Sequence, residues 1–306
     1  MSKAERKAEV VDLKDRAAAR QERLPVLKTY KLFIDGKFPR SESERYYALT
    51  SANGESIANV QLGSRKDFRN AVVAARKAFP GWAGRTAYNR GQILYRMAEM
   101  LEGRRAQFIE ELETLGASRS EAETETAMAV DRLIYYAGWA DKFQQVFSSV
   151  NPVASSHFNF SMLEPTGVAA LLAPEDSGLL GLISVVAPAV AGGNSVVVLA
   201  SHSKPLAAIT FSEVLHTSDL PAGVINILTG TRKELLKHFA SHMDVNALVY
   251  CGSDAEEIRT VQLEAAENLK RVVIEENSDW QSEERQSPYT ILATQEVKTT
   301  WHPIGL

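Results

Sequence analysis

The sequence predicts an α/β chain built on a parallel sheet with helices on both faces, and three observations lead there. From Gly167 onward, short apolar runs alternate with helix-length segments, the pattern of consecutive βαβ units. The starts of those helix-length segments carry proline or capping-box spacings. The 306 residues are 45% apolar, enough to bury a sizeable core.

Residues 1–29 open with MSKAERKAEVVDLKDRAAARQERLP, read as a charged, solvated helix over 4–23. It has no apolar stretch or small-residue cleavage site of a secretory signal. Tyr30–Ile34 and Lys37–Phe38 flank Asp35-Gly36, which predicts a β-hairpin because that dipeptide tolerates positive φ. From Ser64 the period becomes helical, with Ser64 and Asp67 at capping-box spacing and Phe68, Val72, Ala75 and Phe79 on one face. Two longer helices are expected at about 89–115 and 120–147. The second carries Met128, Leu133, Tyr136, Trp139 and Phe143, a stripe suited to core packing.

The expected strands are Val168–Ala173, Ser195–Ala200, Val224–Leu228, Ala247–Tyr250 and Arg271–Glu275. Helices should begin near Ser177, Pro205, Thr231 and Ser253, the last two with Glu234 and Glu256 at capping-box spacing. The apolar run 178–200 is interrupted by Pro188 and Gly192-Gly193-Asn194, so a buried helix, turn and strand are expected there and no membrane span. Residues 277–286 read as a polar linker. Ser287–Gln295 reads as a β-prone segment that must pair with the N-terminal hairpin or another subunit.

Composition narrows the function. Thirty-four Lys and Arg against 38 Asp and Glu leave a net charge of -4, without the basic excess that nucleic-acid binding exploits. One cysteine, Cys251, excludes an intramolecular disulfide and any multi-cysteine metal site, and suits a cytoplasmic location. His238 and His242 are four apart on a predicted helix but lack a third ligand, so no metal is expected. In an open parallel sheet the ligand crevice lies beyond the carboxyl ends of the strands. The loops in question are 174–178, 201–204, 229–231 and 251–254.

The segments Glu164-Pro165-Thr166-Gly167-Val168, Ala187-Pro188-Ala189, Gly193-Asn194-Ser195-Val196-Val197, Leu220–Asn226 and Thr229-Gly230 closely resemble the NAD-binding domain of the aldehyde dehydrogenase superfamily. Phe33–Gly36 and Tyr135–Ala140 resemble it too, so the likeness runs over residues 30–276. It implies a doubly wound, Rossmann-like sheet in a domain spanning 30–276, between a charged extension (1–29) and a linker with an oligomerisation strand (277–306). On this resemblance the cofactor-side positions are Pro174, Ser201, His202, Gly252 and Ser253, all degenerate, and the catalytic ones are Asp176 and Glu275, both vestigial.

The departures from the family's pattern are specific. Asp176 stands where the family has an asparagine that helps hold the oxyanion, and a carboxylate there would repel a developing alkoxide. Leu199-Ala200-Ser201-His202 replaces the loop whose Lys and Glu contact the adenine-side ribose. Gly252-Ser253 keeps the phosphate-side turn, but Asp254 and Glu257 bring negative charge to it. Glu275 matches the general base, while the family's nucleophilic cysteine belongs to a domain downstream and 31 residues follow Glu275 here. Cys251 precedes Glu275 and is expected to be a small core residue.

Three functions follow as expectations. The first is a catalytically inactive subunit, resembling the second module of the two-module members called family 16. It would hold no cofactor and would partner a full-length active aldehyde dehydrogenase or itself. The second is an NAD(P)-dependent oxidoreductase component that lends a cofactor surface to another chain. The third is a sensor for a small anion, with His202 and Lys204 as its positive groups.

Overall fold

The computed structural model describes residues 26–51, 54–276 and 278–305; the charged helix expected over 4–23 lies outside them. Strands β1 (Thr29–Tyr30), β2 (Tyr46–Thr50) and β3 (Ser56–Gln61) form a small sheet in the order β1-β3-β2. The expected hairpin is reduced to its turn. Asp35 and Gly36 take φ of 53° and 69°, and Ile34 and Lys37 exchange two backbone hydrogen bonds of 3.0 Å. Before the turn, Phe33 leaves that pairing to exchange two 2.8 Å bonds with Ile227 at the edge of the main sheet, and this contact buries its ring. Burial on an otherwise open sheet edge prevails over local strand pairing.

Helix α1 (Arg65–Ala83) starts at the expected reciprocal capping box of Ser64 and Asp67. The two long helices are each divided. The first becomes α2 (Ala87–Gly103) and α3 (Arg105–Thr114), separated at Arg104, whose φ and ψ of -111° and 13° follow the weak helix former Gly103. The second becomes α4 (Arg119–Trp139) and α5 (Phe143–Phe147), with the Ser118–Glu121 capping box setting its start. Next come β4 (Ser149–Asn151) and β5 (His157–Pro165), which no alternation in the sequence announced.

The central sheet is wholly parallel. Its members are β6 (Val168–Leu172), β7 (Ser195–Leu199), β8 (Ile225–Leu228), β9 (Ala247–Cys251) and β10 (Arg271–Glu275), in the order β10-β9-β6-β7-β8. Every residue of β6 to β9 is buried, which is why these strands read as unbroken apolar runs. Strand β10 lies at the edge and is half-buried. The crossover helices are α6 (Leu180–Ala191), α7 (Leu206–His216), α8 (Arg232–Ser241) and α9 (Ala255–Ala265). No helix among the described residues is long and apolar enough to cross a membrane.

The end of the chain differs from expectation. Tyr289–Leu292 is a helical turn, α10, and the strand β11 begins only at Gln295 and runs to Pro303. It pairs antiparallel with β5 over nine residues, and β5 pairs in turn with β4. The terminal strand is therefore satisfied within its own chain. The helical turn fits Pro288 at its start, where a missing N–H costs nothing.

Lys270, just ahead of β10, is 9% exposed and donates Nζ to the carbonyls of Ala240 (2.7 Å) and His242 (2.9 Å). Burial lowers its pKa to about 8. The unfolded chain keeps this proton to about pH 10.4. Between the two values the unfolded state binds more protons, so stability rises with pH. In paired urea titrations, the stability of the wild type relative to Lys270→Met therefore increases from about pH 8 to about pH 10. A constant difference would show that the ammonium is not desolvated.

Candidate functional site

Because the strands are parallel, β6, β7, β9 and β10 all end on one side of the sheet, and the helices that follow them begin there. Pro174, Asp176, Gly252, Ser253 and Glu275 are brought together around a cleft of about 180 Å³. Arg232 and Trp280 share the lining, although their positions in the sequence carry no motif. Ser201 and His202 lie to one side, on the loop after β7, and join the cleft through Glu175.

Glu175 ties that loop down. Its Oε2 accepts from Ser201 Oγ (2.9 Å), the His202 amide (2.8 Å) and, more weakly, the Ser203 amide and hydroxyl (both 3.3 Å). The His202 ring lies 4.4 Å from the ring of Tyr47, whose hydroxyl donates to the His202 carbonyl. Lys204 Nζ donates to the carbonyl of Asp176 (2.5 Å). Lys204 is thus engaged by the protein itself, whereas the His202 ring packs on Tyr47 with its Nδ1 buried and without a hydrogen-bond partner among the described residues.

The helix N-termini around the crevice are engaged in the same way. Glu125, from α4, accepts at Oε1 from Ser177 Oγ (2.7 Å) and the amides of Leu179 (2.9 Å) and Leu180 (3.1 Å) at the start of α6. Thr231 caps α8. At α9 the cap is Asp254, which accepts from the Glu257 amide (2.9 Å), and not Ser253, which is exposed. The cap moves one residue along, from Ser253 to Asp254, because the carboxylate is the better partner for the helix dipole, and no capping box forms, since the Glu257 carboxylate is taken by Tyr250 and Arg232.

Arg232 fills the middle. Its Nη2 donates to the carbonyls of Ala173 (2.7 Å) and Cys251 (2.6 Å), at the ends of β6 and β9. Its Nη1 lies 3.3 Å from Glu257 Oε2, and its Nε 3.7 Å from Glu175 Oε1. The guanidinium also stands 5.0 Å from the centre of the Tyr250 ring, and the Tyr250 hydroxyl donates to Glu257 (2.7 Å). Burial, and then the bond to Glu257, push the Tyr250 hydroxyl pKa up.

Glu275 is paired with Arg285, from the segment after β10. The Cys251 thiol is 2% exposed, and burial, with Glu275 beside it, pushes its pKa well up. That is the opposite of what an activated nucleophile requires. His242 is the residue that ends α8 and meets Phe68 edge-on at 5.5 Å. No cluster of three His, Cys, Asp or Glu side chains that could hold a metal occurs among the described residues.

A parallel sheet with its crevice at the strand ends defines the Rossmann-like class of α/β fold. The pattern described as the aldehyde dehydrogenase family matches residues 38–279, and the chain belongs to that family. An aldehyde dehydrogenase of Aspergillus niger is 34% identical over 248 residues, which cover 80% of this chain and 49% of that protein. The mitochondrial benzaldehyde dehydrogenase of Antirrhinum majus is 35% identical over 268 residues, 85% of this chain and 49% of that protein. PnpE, solved in complex with nicotinamide adenine dinucleotide, superposes with a TM-score of 0.76 at 27% identity, covering 80% of this chain and 50% of that one. A Bacillus cereus aldehyde dehydrogenase gives a TM-score of 0.77 at 24% identity, a likeness of fold alone. The chain spans about half the length of the curated relatives it matches.

Replacing Glu175 with alanine removes the acceptor shared by residues 201–203. The Glu175→Ala variant is expected to lose about 1 kcal/mol, the net worth of such bonds at a partly exposed site. Hydrogen exchange should quicken at the His202 amide. Unchanged exchange there would show that Glu175 does not hold the loop.

Proposed function

We propose that this chain is a catalytically silent member of the aldehyde dehydrogenase family. It acts in the cytoplasm as a structural or regulatory partner of a full-length active aldehyde dehydrogenase, or of a second copy of itself. The observation that carries this reading is the self-occupied crevice. Amides of Leu179 and Leu180 at the start of α6, of Glu257 at the start of α9 and of His202 in the loop after β7 already donate to Glu125, Asp254 and Glu175. A cleft of about 180 Å³ is also below the ~300 Å³ at which ligand pockets usually begin. The residues present do not fit NAD(P) in this arrangement.

Two further observations support silence. Glu275 is bound in an ion pair with Arg285, so its carboxylate is already engaged within the chain. Cys251 is buried with a raised pKa, so it is neither accessible nor ionised for attack on an aldehyde. Support for partnering comes from the β11-β5-β4 sheet, where Val150, Phe158, Met162, Val297 and Trp301 are all exposed. Apolar residues concentrated on one small sheet suit a contact with another protein chain.

The test is a calorimetric titration of the purified chain with NAD+ and NADP+, together with the mass and composition of the complex isolated from its native cells. The expected result is no binding at millimolar nucleotide and an aldehyde dehydrogenase, or a second copy, in fixed stoichiometry. Micromolar binding, or a monomer, would overturn the reading, and binding would favour a chain that supplies a cofactor surface.

A further inference from the structure

Arg132, on α4, is 1% exposed, yet all of its hydrogen bonds go to uncharged oxygens. Its Nη1 donates to Ser184 Oγ (2.7 Å) and the Arg285 carbonyl (3.2 Å), and its Nη2 to the Trp280 carbonyl (3.1 Å). Its Nε has no partner among the described residues. A buried cation without a counter-charge is costly, and here two of its three acceptors are backbone carbonyls of one segment, 278–288.

The same segment is held from other directions. The Tyr136 hydroxyl donates to the Ser287 carbonyl (3.2 Å). Arg285 pairs with Glu275 and stands 5.6 Å from the centre of the Trp280 ring, and Trp280 itself is 7% exposed. Ser278 and Trp280 form part of the wall of the 180 Å³ cleft, together with Cys251.

We propose that residues 278–288 are a strap that closes the strand-end crevice over Cys251, with Arg132 as its latch. Anything larger than the closed cleft, a dinucleotide included, reaches the strand ends only while the strap is lifted.

The two states have opposing terms. Closure buries Trp280 and makes the Arg132 and Arg285 contacts; lifting returns the Arg132 guanidinium to water, which repays its desolvation. Fixed elements bound the movement. Strand β10 precedes the strap, and α10 follows it with Ile291 fully buried beside Gly192 of the α6 terminus. A ligand that binds only the lifted state has its apparent affinity reduced by the fraction of molecules lifted. The strap goes beyond the silent-subunit reading and does not depend on it.

Cys251 reports the opening, because the chain has one cysteine and it lies in the covered cleft. The full chain is treated under native conditions with a thiol reagent, as wild type and as Trp280→Ala, Arg285→Ala and Arg132→Met. Labelling in each folded variant is expected to be about tenfold faster or more than in the wild type, while the amides of β6 to β9 keep their hydrogen-exchange protection. If Arg132→Met does not fold, the two strap variants decide the matter. Labelling at the wild-type rate in both overturns the proposal, as does acceleration that comes only with loss of protection in β6 to β9. An NAD+ titration of the same samples separates the two ideas. Tight binding by the wild type, with faster labelling in the variants, would defeat the silent-subunit reading and leave the strap standing.

Discussion

A parallel sheet buried on both faces imposes one condition on everything around it. Each strand must return through a helix, so the helices that follow the strands start at the same end of the sheet, and their free N–H groups and dipoles converge on one crevice. That concentration of donors has to be met by something. In this chain it is met from within: Glu125 at the start of α6, Asp254 at the start of α9 and Glu175, which faces the loop after β7, are placed as an anionic ligand would be. Arg232 then joins the carbonyl ends of β6 and β9 and balances the added carboxylates.

Exchanging a ligand's charges for side-chain charges changes what the fold can do. A bound phosphate comes and goes, whereas a carboxylate attached to α4 or to the loop after β6 is present at fixed effective concentration. The crevice thereby becomes a fixed part of the structure. Gly181 shows how closely it is packed, since a Cβ there would meet Pro174 Cγ at 2.3 Å.

Much of the architecture was legible in the sequence because it rests on local rules. The runs from Val168 to Glu275 alternate with capped helices, and the strands fall within a residue of expectation. The Asp35-Gly36 turn was legible too, but not the docking of Phe33 on β8, which depends on an edge that exists only once the sheet has formed. The same limit applies to the pairing of β11 with β5, whose residues are distant in the chain. In the crevice, the loops at 174–178 and 251–254 could be placed from the order of the strands, while Pro174, Asp176, Gly252, Ser253 and Glu275 were singled out by the family resemblance. What occupies them could not, because Glu125, Arg132 and Arg285 approach from other elements. Two weak signals were present: Arg232 directly follows a helix cap at a strand end, and Trp280 is a large apolar residue within a polar linker.

The pairing of β11 with β5 also governs the order of assembly during synthesis. Ser161 and Thr299, which meet across that pair, are 138 residues apart. While the central sheet is being translated, β5 has only the three-residue β4 beside it, so one edge stays bare until residues 295–303 have left the ribosome. A bare edge next to Phe158 and Met162 is a template for strands from neighbouring chains. On polysomes, where nascent copies stand side by side, the same sheet that completes the monomer is the surface most exposed to capture by another chain.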